Sequence, residues 1–423
     1  MRVHTPYREI REDFSLERNE LYQKISEMEP NAVANTIPLT WAKAKDFSVF
    51  DEKGNKWIDL TSGIFVTNAG HANPLIKDAI KRQVDSDLIF SYNYPTEIKY
   101  QFISKLLSIS PPYFDKTILL MSGSEAVDAG YKLIKFWGAK HGKKYIVAFG
   151  GAYHGRGLSN DLVSGSKNKA EWSRVKDEEV IFLDFPYEET DSFDPSKLPP
   201  ADQIAGFVFE TFQGWGAWFY PDRFIKDAHA FAKKHGALVM FDDMQGGFYR
   251  LGPLYGYMTY GEEIKPDILC LGKGITSSLP LSAVLSRKEI VDFDEKADLH
   301  GTQSANPVCC AAALADIEFL SDEKRKKERE KPMELFERES KKLTEFPIVK
   351  KVNARGMIAG IIFENTEPAT EIVKRCIMNG VLPVCTNRNS IKLAPPLTIP
   401  EDAILEAFGV IRDAIIEVQK TAR

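Results

Sequence analysis

The sequence predicts an α/β chain built on a mostly parallel seven-stranded sheet sandwiched by helices, with a smaller α+β domain made from the N- and C-terminal segments. Three observations predict it. Seven short apolar, β-rich runs recur between residues 117 and 286, and helical patterns fall between several of them; that alternation favours parallel strands covered on both faces. From Pro307 onward the pattern turns helical and returns only briefly to strands. The 423 residues also exceed the size at which one core keeps growing.

Taken in order, an N-terminal arm runs to about Asp46, followed by a short stranded region through Val66 whose core strand is Trp57-Ile58-Asp59-Leu60. The β-rich runs are Thr117–Met121, Tyr145–Phe149, Val180–Phe185, Ile204–Glu210, Leu238–Asp243, Ile268–Lys273 and Leu281–Ser286. Helical spacing of apolar residues is plainest over Ser124–Lys140 and Asp222–Lys234. A charged stretch at Asp322–Lys331 reads as a solvated helix face, and short strands return near Met357–Phe363 and Ser390–Leu393. The expected division is residues 1–90 for the arm and the first part of the small domain, 91–306 for the large domain, and 307–423 for the rest of the small domain.

Chemistry enters at three strand ends. The run Pro266-Asp267-Ile268-Leu269-Cys270-Leu271 delivers Lys273 into a glycine-flanked turn. Burial penalises an ammonium charge, which is the condition an amine nucleophile needs. The run before it, Leu238-Val239-Met240-Phe241, ends in Asp242, at the carboxyl end of a strand where open α/β sheets place ligands; there a carboxylate can hold a cationic ring nitrogen. Further upstream, Thr117–Met121 leads through Ser122-Gly123-Ser124-Glu125 into a helix, and strand, small-residue turn and helix N-terminus together make an anion site. Each has an ordinary structural explanation when read alone: a lysine reaching solvent, a buried carboxylate, a capped helix. Phosphate cradle, ring-nitrogen carboxylate and amine nucleophile on successive strand ends describe the needs of pyridoxal 5'-phosphate (PLP).

With these residues in place the sequence resembles the class III (subgroup II) aminotransferases of PLP fold type I. The likeness runs from Asp51 to about Leu397 and is carried by Asp51–Asp59, Ser62-Gly63-Ile64-Phe65, Gly70-His71, Ala152-Tyr153-His154-Gly155-Arg156, Glu210 with Gln213-Gly214, Asp242 with Gln245 and Arg250, Lys273-Gly274, His300-Gly301-Thr302-Gln303 and Asn306-Pro307. The resemblance implies that Lys273 holds PLP as a Schiff base and shuttles the proton, while Asp242 keeps the pyridine nitrogen protonated. It implies that Tyr153 stacks on one ring face, Met244 covers the other and Gln245 bonds the phenolic oxygen, with His154 and Glu210 completing the cofactor set. Gly123 and Ser124 would hold the phosphate, and Thr302 would reach across from a neighbouring subunit, so that a homodimer with shared sites is required. Ping-pong transamination of a small-molecule amine and a keto acid is the implied activity. An epimerase or aminomutase on the same scaffold, or a non-enzymatic protein of this fold, stands as the alternative.

Substrate choice is where the sequence departs from the family. Many amino-acid-specific members carry a glutamate two positions after the glutamine of the active-site motif, paired with an arginine in an Arg-x-Ala-Pro-Pro-Leu segment. Here the two positions hold Trp215 and Lys392. The usual acid–base gate is absent, and one buried charge kept without its partner costs several kcal/mol. The expected donor is therefore an amine without an α-carboxylate: an ω-amino compound, an amino sugar or another primary amine. Phe65 occupies a position that lines the pocket in the family. Arg156 is read either as a bidentate clasp for a keto-acid carboxylate or as a brace for its loop. Trp218, Phe219 and Tyr220 are read as an apolar wall or as core.

Composition fits this reading. A net charge of −5 and pI near 5.9 argue against nucleic-acid binding, which favours basic patches. No apolar run approaches the roughly 20 residues a membrane helix needs. The first ten residues lack the apolar centre of a secretory signal, so the expected location is the cytoplasm. Five cysteines without framework spacing suit a reducing compartment. Seven histidines without zinc-type spacing give no expectation of a metal. The adjacent Cys309 and Cys310 read as buried helix residues.

Overall fold

The computed structural model describes residues 2–17, 19–30, 37–165, 176–292 and 298–421. The chain divides into two compact units, one formed by Met1–Asn73, Trp215–Ala217 and Glu323–Arg423, the other by Pro74–Gly214 and Trp218–Asp322. The divisions fall at 73/74 and 322/323 instead of near 90 and 306. The reason is packing: helix Pro307–Ser321 lies against helices Pro74–Asp85 and Glu97–Ile109 within the second unit.

The second unit holds a seven-stranded sheet whose spatial order is Lys116–Leu120, Ser282–Ser286, Ile268–Leu271, Leu238–Asp242, Ile204–Glu210, Tyr145–Phe149 and Val180–Leu183. Ser282–Ser286 runs antiparallel to both neighbours, and the other pairings are parallel. Successive side chains of a strand face opposite sides, which sorts the residues into two faces. On one, Val208, Met240, Ile268, Cys270 and Val284 form a core with Ala126, Leu133 and Ile134 of helix Gly123–His141. On the other, Phe149, Phe209 and Phe241 stack with ring centroids 5.0 and 5.3 Å apart, beside Phe224 of helix Asp222–Lys234. Tyr220 belongs to this aromatic cluster, 4.7 Å from Phe185 and 5.5 Å from Phe209; it is core. Cys309 and Cys310 are buried on helix Pro307–Ser321.

The first unit joins both ends of the sequence. Strands Val3–His4, Glu9–Ile10, Lys56–Asp59, Ser48–Phe50 and Lys43–Lys45 form a sheet in that order, and Val381–Leu382 pairs in parallel with Ile58 and Asp59. A four-stranded antiparallel sheet follows the order Val349–Arg355, Ile358–Phe363, Ser390–Leu393, Val384–Cys385. Helices Glu323–Lys342, Thr366–Met378 and Glu401–Thr421 accompany it. The charged segment of the first of these is mainly exposed, although Arg329 is buried. No helix among the described residues is long and apolar enough to cross a membrane.

Candidate active site

Strand register assembles the site. Asp242, the last residue of its strand, stands level with Glu210 on one side and Cys270 on the other, so two carboxylates and the turn carrying Lys273 emerge at one edge of the sheet. Asp242 is buried, and each oxygen has a partner: Oδ2 accepts from His154 Nδ1 at 2.8 Å and Oδ1 from the Met244 N–H at 3.2 Å. His154 therefore buttresses the aspartate. Burial opposes its charge, but the hydrogen bond and negative charge of Asp242, with Glu210 behind it, hold its pKa above the usual imidazole value. Glu210 accepts the backbone N–H groups of Tyr153 and Gly214, both at 3.2 Å. Desolvation nevertheless dominates there and, with His154 opposing it and Asp242 adding to it, pushes the carboxyl up to about 7. Asp243 points the other way, to the Gly256 N–H and the Thr211 hydroxyl, and burial raises it to about 7 as well.

Lys273 begins a short 3-10 turn immediately after its strand. The strand thus stops at Leu271, short of the expected Lys273, because the lysine takes a positive φ of 43°, a conformation that costs a non-glycine residue roughly 1–3 kcal/mol and is typical of functional sites. Burial lowers its pKa against the opposing pull of Asp242 and Glu210, which favours the neutral amine.

Helix Gly123–His141 opens at the same edge. Ser122 caps it, and Glu125 closes a capping box through Oε2, which accepts the Ser122 N–H at 2.7 Å. The hydroxyl of Ser124 accepts the Arg156 N–H at 3.2 Å, and Arg156 Nε donates to the Tyr153 hydroxyl at 3.1 Å. The bracing role considered for Arg156 is therefore built, with the guanidinium exposed. Met244 is seated between two glycines: a Cβ on Gly272 would stand 2.6 Å from its sulfur and one on Gly123 2.8 Å. Gln245 lies closer still to Gly214, where a Cβ would meet its amide nitrogen at 2.2 Å.

A cavity of ≈ 130 Å³ opens among them. Gly123, Ser124, Tyr153, His154, Glu210, Asp242, Met244, Gln245 and Lys273 all border it, and so do Gly155, Thr211, Phe212 and Gly246. The last four were not singled out for the cavity, although Gly155, Thr211 and Gly246 each adjoin a residue that was, and Phe212 lies two positions from Glu210. The donor set fits a phosphorylated pyridine aldehyde: N–H groups of a helix N-terminus for the phosphate, a fixed carboxylate for a ring nitrogen, a thioether lodged where any larger Cα neighbour would clash, and a desolvated amine.

The remaining candidates lie elsewhere. Thr302 is exposed and does not line this cavity of its own chain. Phe65, Trp215 and Lys392 all belong to the first unit. Phe65 sits in one turn of left-handed helix, with φ of 49°, 59°, 64° and 68° at Ser62, Gly63, Ile64 and Phe65 and α-type bonds from Phe65 N to Thr61 O and Val66 N to Ser62 O. Such a turn costs roughly 1–2 kcal/mol for each L-residue in it. The Lys392 ammonium lies 4.4 Å from the centroid of the Phe65 ring, and Lys392 is only 8% exposed. This corrects the argument that both gate charges are lost: the cationic half persists, buried, over an aromatic face. Trp215 carries the Arg388 guanidinium 5.4 Å from its ring, and its carbonyl accepts the Ser390 hydroxyl at 2.8 Å.

Known proteins resemble this chain in sequence and in fold. The family described as aminotransferase class-III matches residues 30–415. The 2-aminoadipate transaminase of Pseudomonas putida is 30% identical over 413 residues, covering 92% of this chain and 98% of that protein. The acetylornithine aminotransferase of Clostridium acetobutylicum is 27% identical over 383 residues, covering 89% and 96%. Among solved structures, a PLP-bound amine transaminase from an uncultivated Pseudomonas species matches with a TM-score of 0.83 at 22% identity, over 92% of this chain and 96% of that one; this likeness shows the fold.

Proposed function

The chain belongs to the class-III aminotransferases, and from that premise we propose that its amino donor is an amine lacking an α-carboxylate, an ω-amino compound, amino sugar or other primary amine, and its acceptor a keto acid, in two half-reactions. That it is a PLP-dependent transaminase follows from the family. The observation that carries the donor class is Trp215, an indole faced by Arg388, at the position where many amino-acid-specific members present a carboxylate. An indole there cannot form the acid–base pair that those members use.

The bound cofactor supplies an electron-poor ring that stabilises negative charge on the substrate carbon. The protein's own residues do the rest. Lys273 Nζ, kept towards neutrality by burial, serves as nucleophile and then takes and returns the proton. Asp242, held on both oxygens, presents an oriented carboxyl group at the strand end. The first N–H groups of helix Gly123–His141 and the Ser124 hydroxyl bind phosphate, Tyr153 and Met244 bound the ring, and Gln245 offers an amide to its polar edge. Arg156 receives the keto-acid carboxylate with the guanidinium nitrogens that its Tyr153 bond does not use. We assign Thr302 to the site of a second copy: it is exposed and off its own cavity, and Ile89, Phe90, Tyr92 and Tyr94 of the same unit present apolar surface of the kind a homodimer covers.

A panel of donors with pyruvate or 2-oxoglutarate tests the donor class through kcat/KM. Primary amines without an α-carboxylate are expected to lead; ornithine or 2-aminoadipate reacting far faster sinks it. That outcome would favour a second reading, an amino-acid donor, which the buried Lys392 ammonium supports. Stoichiometric exchange of amine and keto acid separates both from an isomerase.

A further inference from the structure

Asp243 follows the strand that ends in Asp242, and by strand alternation its side chain leaves the sheet on the opposite face. It is 1% exposed, and each of its polar atoms is engaged. Its N–H donates to Cys270 O at 2.9 Å, on the strand that leads to Lys273, and its carbonyl accepts the Gly247 N–H at 3.1 Å. Oδ1 accepts the Thr211 hydroxyl, and Oδ2 accepts the Gly256 N–H at 2.7 Å. The second of these bonds closes residues 243–256 into a loop. Two glycines meet where it closes: a Cβ on Gly246 would stand 2.5 Å from Asp243 Oδ1 and 3.4 Å from the Gly256 Cα, and a Cβ on Gly256 would stand 2.7 Å from the same oxygen and 3.0 Å from the Gly246 Cα. Within the loop Phe248 and Tyr249 take φ of 54° and 68°, a conformation that bulky residues rarely adopt, so its shape is not one that local preference favours. At its start the loop carries Met244, Gln245 and Gly246, which border the cofactor cavity together with Thr211.

We propose that Asp243 is a positioning residue for the cofactor: its carboxyl group clasps the loop 243–256 to Thr211, and the clasp sets Met244 and Gln245 where the ring is received. This rests on the reading that Met244 and Gln245 bound the cofactor. Asp243 does not itself border the cavity, whereas Thr211, bonded to its carboxyl group, and Gly246, packed against it, both do. A shift at Asp243 therefore reaches the seat through one intervening residue, and all of these residues belong to one compact unit. The site requires an acceptor. Without one, the Thr211 hydroxyl and the Gly256 N–H, both on buried residues, are left unsatisfied, a cost that the loop relieves by moving.

The test starts from the holoenzyme, strips the cofactor and titrates pyridoxal 5'-phosphate back, reading Kd from the visible absorbance, with urea unfolding of the stripped protein alongside. Asp243→Ala is expected to raise Kd about tenfold. Asp243→Asn, whose amide oxygen still accepts the Gly256 N–H and whose amide nitrogen donates to the Thr211 oxygen, is expected to stay within about twofold of the parent. Thr211→Val is expected to raise Kd as well, and to add nothing when combined with Asp243→Ala, because both release the same clasp. A parent-like Kd in Asp243→Ala, whatever its urea midpoint, means that the residue serves stability alone and overturns the proposal. So does an Asp243→Asn variant that binds as weakly as Asp243→Ala, or a double variant whose loss is the product of the two single losses. If Asp243→Ala does not yield folded protein, Thr211→Val is read in its place, with Thr211→Ser, which keeps the hydroxyl, expected to hold the parent value; a parent-like Kd in the first or an equal loss in the second overturns the clasp. Met244→Ala and Gln245→Ala are the controls: a parent-like Kd in both refutes the seat assigned to those residues, whereas a raised Kd there with none from Asp243→Ala refutes only the clasp.

Discussion

Glu210→Gln isolates the energetic strain of the catalytic edge. In the folded protein burial raises this carboxyl from 4.5 to about 7, and at roughly 1.4 kcal/mol per pH unit the charged form is disfavoured by about 3 kcal/mol. Because the folded value lies above the unfolded one, the contribution is fully present below pH 4.5 and is lost as pH rises through about 7. Between those limits the folded state binds more protons, so the unfolding free energy falls as pH increases. Glutamine cannot ionise. Relative to the parent, the variant is therefore expected to gain about 3 kcal/mol between pH 4.5 and pH 7 and above. A constant offset accompanies this, since one amide oxygen replaces two carboxylate oxygens for the Tyr153 and Gly214 N–H groups. Losing the Glu210 charge also weakens the support for the raised pKa of His154, which flattens the profile in the same direction. Urea unfolding of the cofactor-free protein from pH 5 to 8, parent against variant, measures the slope. Parallel profiles would show that Glu210 has the same pKa folded and unfolded, and the desolvation argument for this edge would fail.

Two further substitutions probe the seat itself. Lys273→Ala is expected to abolish the visible absorbance of the bound cofactor and lower kcat by roughly 10³-fold, and borohydride should fix the cofactor at position 273 in the parent; activity within tenfold of the parent, or label elsewhere, sinks the assignment. Gly272→Ala puts a Cβ 2.6 Å from the Met244 sulfur, so about 1–3 kcal/mol of stability is expected to go, with weaker cofactor binding by titration. Parent-like melting and titration would mean that Met244 yields freely.

The chemical edge of the second unit was legible because three strand ends carry it in sequence order and each announces itself. A carboxylate or a lysine closing an apolar run is unusual, and a small-residue turn before a helix has few other uses than binding an anion or capping. Pairing register then did what sequence cannot: it set Glu210 level with Asp242 and gave Asp242 its partner His154, distant in the chain. Thr211 and Phe212 were passed over because a threonine and a phenylalanine beside a motif have no chemistry of their own. The left-handed turn was invisible for a sharper reason. Gly63 hints at positive φ, but Ile64 and Phe65 argue against it, and what accompanies the turn is a local bond from Thr61 to Asp59 together with a distant one from Ser62 to Ala394. Lys392 was read as a lost charge because the alternative, an ammonium tucked over Phe65, depends on a contact between residues far apart in sequence.

Residues bordering the cofactor cavity fall in one compact unit, and those assigned to choosing the donor fall in the other. Mutational drift can thus be partitioned. A library restricted to Phe65, Trp215, Arg388 and Lys392 touches no pairing of the seven-stranded sheet, so its members are expected to turn yellow with vitamin B6 whichever amines they accept.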